Sequence, residues 1–220
     1  CSSLVLILLL VSLPRQQEKV PSGILQQFVL LRDGRIFLSI LTVFFGASSA
    51  YVLYTYLTPV FEEYVGIPVP YISLVLLLFG VMVLCSNLLS GKMAARRGIY
   101  KLRFSYIALA VCMFLLPLAL QGGWTGLPVI FAIGLLMYLQ NSPIQVNVLN
   151  IATKEYPGAV TLAASTNSFS FNFGIAFGSV CGSTIVKHLN MGLLGLGGGV
   201  LALCALGCGL LLYRKTELPH

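Results

Sequence analysis

Apolar runs of bilayer length, separated by short polar stretches, make up most of the chain from residue 36 onward. Breaking at charges, prolines and glycines gives six such runs, at 36–59, 71–90, 102–121, 127–150, 159–186 and 191–213. About 20 residues span a hydrocarbon core as a helix, so all six are long enough. None shows the in–out alternation of a membrane barrel strand, and backbone groups in lipid must pair within their own segment. The pattern therefore predicts an all-α membrane protein built as a six-helix transmembrane bundle. A shorter run at 4–11, ending near Pro14, has no basic residues before it and no small-residue cleavage site. It is expected to be the tail of a preceding helix cut at its N-terminal side. Three parts follow: that tail at 1–13, a polar linker at 14–35 rich in Gln16, Gln17, Gln26 and Gln27, and the bundle at 36–220.

Charge then orients the bundle. Only 9% of residues are charged, against about a quarter in a soluble domain. The net charge of +7 is confined to short loops, which suits a membrane surface and excludes a nucleic-acid-binding face. The strongest cluster is 91–103, where Lys92, Arg96, Arg97, Lys101 and Arg103 occur with no acid. Linker 14–35, loop 151–158 and the C-terminal tail also carry bases, whereas the alternate turns carry Glu62 and Glu63, no charge, or Lys187 alone. The positive-inside rule places the basic loops and the C-terminus in the cytoplasm, with localisation to a bacterial inner membrane as a multi-pass protein. Tyr64 and Trp124 fit the opposite interface.

Polar residues inside the runs mark the candidate chemistry. In the first, Tyr51, Tyr54, Thr55 and Thr58 follow i, i+3, i+4, i+7 and form one stripe, facing either a neighbour or a wet cavity. Here Tyr51 and Tyr54 are candidates for a substrate path. The fourth run holds Gln140, Asn141, Gln145, Asn147 and the helix-bending Pro143. That many carboxamides in low dielectric exceed the needs of packing, so Asn141, Gln145 and Asn147 are expected to line a cavity. In the fifth run Gly174, Gly178 and Gly182 repeat every four residues, a pattern that lets another helix approach closely. Asn172, with Ser165 and Ser168, falls on a different face; Phe171 and Asn172 join the cavity candidates. The last run, glycine-rich and without polar side chains in its middle, is expected to be a supporting helix.

No Asp, Glu, Lys, Arg or His lies well inside any of the six runs, so a proton relay or voltage sensor within this segment is not expected. The six cysteines all lie in apolar runs with no His or acid at ligand spacing, which predicts neither a disulfide framework nor a metal site. No phosphate-binding glycine loop or catalytic triad is present, so neither a cofactor nor an enzymatic activity is expected.

Gly91-Lys-Met-Ala-Ala-Arg-Arg-Gly98 resembles the signature loop of the major facilitator superfamily, Gly-x-x-x-Asp-Arg-x-Gly, in its copy between helices 8 and 9. Gly91, Arg96, Arg97 and Gly98 match; Ala95 stands at the Asp position. Tyr56-Leu-Thr-Pro59, Leu78-Phe-Gly80 and Asn87-Leu-Leu-Ser-Gly91 are similar to the helix 7–8 region of the family's drug and sugar (arabinose-type) efflux branch, and Asn172-Phe-Gly-Ile-Ala-Phe-Gly178 to its helix 11. The resemblance implies the end of helix 6 through helix 12, the C-terminal half of a transporter of two six-helix bundles. It also implies proton-driven export of sugars or drug-like molecules, coupling acids in the N-terminal half, and contact of helices 8 and 11 with that half, which would cover the 174–178–182 face. A channel and a non-transporting membrane scaffold are the alternatives.

Overall fold

A computed structural model describes residues 29–95 and 98–217. Among these residues, seven helices of eleven or more residues form the bundle: α1 (Gly34–Tyr54), α2 (Val69–Ala94), α3 (Gly98–Gln121), α4 (Gly126–Leu136), α5 (Asn141–Glu155), α6 (Val160–His188) and α7 (Leu194–Glu217). Helices α4 and α5 are two halves of one crossing, so six spans are long and apolar enough to cross a membrane. Arg96 and Arg97 of the signature loop, and the run at 4–11, lie outside the described residues.

Contacts among helix ends sort the turns into two groups. At one end Arg35 on α1 donates from Nη1 to Glu155 Oε1 at the end of α5 (2.8 Å) and also pairs through Nη2 with Glu155 Oε2. Asp33 caps α1, accepting from the Arg35 backbone N–H (2.8 Å) and side chain and from the Tyr156 hydroxyl (3.3 Å). The Arg35 guanidinium holds the Asp33 carboxyl below its ordinary range. Tyr100 at the start of α3 meets Tyr213 at the end of α7, ring to ring at 5.7 Å. At the other end the Tyr64 hydroxyl bonds Asn190, and Gly123 lies against the backbone of Tyr64 and Val65.

Two boundaries differ from the sequence expectation, and proline accounts for both. The first run does not continue as one helix to residue 59. It ends at Tyr54, kinks at Thr55 and Tyr56, and resumes as a turn, Leu57–Pro59, and a π-helical stretch, Val60–Val65, that stops at Gly66 in the left-handed conformation (φ 78°). Pro59 removes the N–H that would bond the Thr55 carbonyl, and its ring crowds that carbonyl. The fourth run likewise breaks at 137–140, one turn before Pro143, instead of bending as a continuous helix.

Packing around α1 is set by small residues. Gly174, Gly178 and Gly182 of α6 lie against the α1 backbone at Phe44, Ser48 and Val52, a constant offset of 130 positions that makes the two helices parallel and in register. A Cβ at 174 would stand 2.5 Å from Phe44 O, one at 182 would stand 2.7 Å from Val52 O, and one at 178 would meet Ser48 O and Cα. The glycine face is thus covered from within the bundle by α1, which corrects the expectation that it awaits another half. The reason is complementary: beneath the glycines α1 offers Ala47 and Ser48, both buried, whose short side chains let the backbones approach. Such approach permits Cα–H···O contacts of roughly 0.5–1 kcal/mol each.

Helix α7 is pressed into α1 and α3 in the same manner. Ser49 Oγ donates to Gly198 O (2.7 Å), and Gly195 rests on Met113 O, the carbonyl that Pro117 of α3 leaves without its helical donor. Its other face carries the exposed Leu196, Val200, Leu203 and Leu211, as a lipid-facing supporting helix would.

Replacing Gly178 by Val should force α1 and α6 apart, at a cost of roughly 1–3 kcal/mol of overpacking. Thermal unfolding of the detergent-solubilised protein should show a lowered midpoint for Gly178→Val and a near-unchanged one for Gly80→Val, where a Cβ meets open space.

Candidate functional site

The break at 137–140 leaves backbone groups without helical partners, and in a bilayer these must be paired by neighbours. Two buried serines one turn apart on α2 supply the pairs. Ser86 Oγ accepts from Tyr138 N (3.0 Å); Ser90 Oγ accepts from Ser142 N (2.9 Å) and donates to Leu139 O (3.1 Å). Leu139 O is the carbonyl that Pro143, four residues on, cannot serve. Just above the proline's turn, Gln140 points the other way, buried between α1 and α3, where its Oε1 bonds the Tyr106 hydroxyl. Gln140, the residue that precedes α5, thus faces away from the side that carries Asn141 and Gln145.

A cleft of about 530 Å³ lies between α5 and α6, beside this break. Asn141, Gln145 and Ser142 contribute from α5, Asn167, Ser168, Phe171 and Asn172 from α6, and Tyr138 from the break itself. Asn167 Nδ2 donates to Asn141 Oδ1 (2.6 Å), closing one wall, and Gln145 Nε2 donates to Ala164 O (3.2 Å). Asn172 Nδ2 is held by Ser168 O (2.8 Å), and the buried Asn167 Oδ1 has no hydrogen-bond partner among the described residues. Among the described residues, no charged side chain lines the cleft.

Aromatic rings close the side toward α1. The Tyr51 and Tyr138 hydroxyls are 3.0 Å apart, and the Phe171 ring stands 5.9 Å from Tyr51 and 5.3 Å from Tyr138. Behind Tyr138 lies a second cavity, of about 380 Å³, lined by Tyr54, Thr58, Phe79 and Gly80 among others. The stripe on α1 therefore divides: Tyr51 faces the cleft's aromatic wall, Tyr54 and Thr58 the second cavity, and Thr55 bonds Ser179 Oγ (2.9 Å) on α6.

Of the residues singled out in the sequence, Asn141, Gln145, Phe171 and Asn172 meet in the cleft and Tyr51 stands at its rim. Tyr54 belongs to the neighbouring cavity, and Asn147, two residues beyond Gln145, projects from the opposite side of α5. Tyr138 and Asn167 were not among them. Tyr138 sits inside an apolar run, five residues ahead of the proline that breaks it, and Asn167 is seen as a partner for Asn141 only once α5 and α6 are packed. Within the signature loop, Gly91 ends on α2 facing open space, whereas Gly98 opens α3 against Pro143, 2.8 Å from where its own Cβ would stand.

The sequence model described as Major Facilitator Superfamily matches residues 1–169. The chain belongs to the major facilitator superfamily. Over 165 residues it is 30% identical to an uncharacterized MFS-type transporter, YtbD, of Bacillus subtilis (strain 168), a match covering 75% of this chain and 42% of that protein. Over 176 residues it is 26% identical to the inner membrane transport protein YdhP of Escherichia coli (strain K12), covering 80% and 44% respectively. The chain thus spans less than half the length of the curated relatives it matches. Membership of this superfamily and six apolar spans make it a multi-pass membrane protein.

The stitching of the break by α2 predicts that Ser86→Ala with Ser90→Ala loosens Tyr138 through Ser142. Single hydrogen bonds between membrane helices average about 0.6 kcal/mol and reach about 1.7. The double variant should therefore lose roughly 1–3 kcal/mol, and amide exchange should accelerate in peptides covering 137–143 while those of α7 stay protected.

Proposed function

We propose that this chain is the C-terminal six-helix half of a secondary active transporter, active only in company with an N-terminal half, and that the α5–α6 cleft contributes half of a site for an uncharged small molecule. The observation carrying this reading is the composition of the cleft. Carboxamides and hydroxyls from two helices converge on a space bounded by Tyr138 and Phe171, without a single charge. Amides offer both donors and acceptors to a neutral polar ligand, and aromatic faces take its apolar surface. Sugars and small drug-like molecules both meet that description.

Alternating access then follows from rocking of the two halves about the shared site. The cleft draws on the first half of α6, nearer the end that carries Arg35, Glu155 and Lys215, which we assign to the cytoplasm together with the C-terminus. With no acid or base among the described residues lining the cleft, proton coupling for export falls to acids of the N-terminal half, and the present half supplies recognition. Asn141 and Gln145 are the principal contacts, Asn172, Tyr51 and Phe171 shape the space, and Tyr54 serves the adjoining cavity. Asn147 is assigned no ligand contact.

Proteoliposomes of the full-length transporter should show saturable, proton-gradient-dependent flux of a neutral sugar or drug. Two lost hydrogen bonds of about 1 kcal/mol each correspond to a fall on the order of tenfold or more for Asn141→Ala with Gln145→Ala. Asn147→Ala should transport normally. Undiminished flux in the double variant at equal expression overturns the cleft assignment, and gradient-independent conductance overturns the transporter reading.

A further inference from the structure

The groove between the start of α3 and the end of α7 carries a cation that the transport site does not use. Arg103 lies a turn and a half inside α3, with its guanidinium carbon 3.8 Å from the Tyr100 ring centre and 4.7 Å from that of Phe104. Tyr213 of α7 packs edge-on to Tyr100 and completes an aromatic seat. Arg103 Nε is buried without a hydrogen-bond partner, and both ion pairs among the described residues belong to Arg35. A guanidinium stacked on rings keeps its N–H donors in its own plane, pointed away from the faces that the rings occupy. Lys101 on the same turn of α3, and Arg214, next to Tyr213 at the end of α7, add positive charge. An apolar strip continues from this seat along the bundle: Phe104, Ile107 and Val111 on α3 and Leu211 on α7 are all exposed.

We propose that this groove binds one anionic phospholipid, its phosphate on Arg103 with support from Lys101 and Arg214, and an acyl chain along Phe104, Ile107 and Val111. Charge complementarity selects the occupant. A phosphate supplies the acceptor that the aromatic-stacked guanidinium lacks, and the hydrocarbon strip beside it distinguishes a lipid from free phosphate. Juxtamembrane bases attract anionic lipid in general; here the aromatic seat fixes one of them in place and makes the attraction a site.

Native mass spectrometry of the full-length protein in detergent, titrated with dioleoyl phosphatidylglycerol, tests this. Wild type should retain one phosphatidylglycerol preferentially over dioleoyl phosphatidylcholine, and inorganic phosphate at millimolar concentration should not displace it. Arg103→Gln should weaken that first adduct about fivefold to tenfold, the loss of one phosphate contact. Lys187→Gln, at the far end of the bundle, should leave it unchanged. In the unmutated protein, a diazirine-bearing phosphatidylglycerol should crosslink to peptides within 98–111. Equal retention of the two lipids, full binding by Arg103→Gln, displacement by free phosphate, or crosslinking elsewhere only would each overturn the proposal.

Discussion

A backbone that crosses lipid has to find partners for every amide, and the whole arrangement of this bundle turns on how one exception is handled. Between Leu136 and Asn141 the helical ladder fails because Pro143 has no N–H to give. Ser86 and Ser90 take up the freed groups from across the α2 contact. Without them, each unsatisfied group in hydrocarbon would cost several kcal/mol. With them, the chain can afford an irregular stretch at mid-depth, and that stretch turns Tyr138 and Asn141 toward the cleft while Gln140 is buried against Tyr106.

The second determinant is closeness. Where α6 meets α1, and where α7 meets α1 and α3, glycines remove side chains from the contact and let backbones touch. Without water to drive apolar surfaces together, membrane helices gain by dispersion and weak carbonyl contacts at short range. The polar residues are thereby displaced to the remaining faces, which is why the amides of α5 and α6 confront each other across open space.

How far the sequence discloses this depends on whether a signal is local. The spans are visible in hydropathy because lipid imposes one length on each, and the packing role of the 174–178–182 repeat is visible because spacing alone puts those glycines on one face. What that face touches is not, since Phe44, Ser48 and Val52 lie 130 positions away and carry no mark of partnership. The separation of Asn141 and Gln145 from Gln140 is legible from helical periodicity. Tyr138 escapes notice because its exposure to the cleft is created by a break whose cause lies five residues downstream and whose support lies on another helix. The first and fourth runs are interrupted for the same reason: hydropathy continues through a proline, while the hydrogen-bond ladder does not.

The glycine contacts also divide the bundle mechanically. Backbones pressed together have no side chains to compress or re-pack, so α1 and α6 behave as a single plank, with α7 fastened to it by Ser49. Opposite stand α2, α4 and α5, joined through Phe79 on Gly134 and through the serine stitches. Across the cleft these two bodies meet through a few hydroxyls and amides, Tyr51 with Tyr138 and Asn167 with Asn141. Such bonds exchange readily with a polar guest, so the seam is where the bundle yields first, while the distance between Tyr51 and Phe171, both carried on the plank, stays fixed as a built-in gauge of what fits.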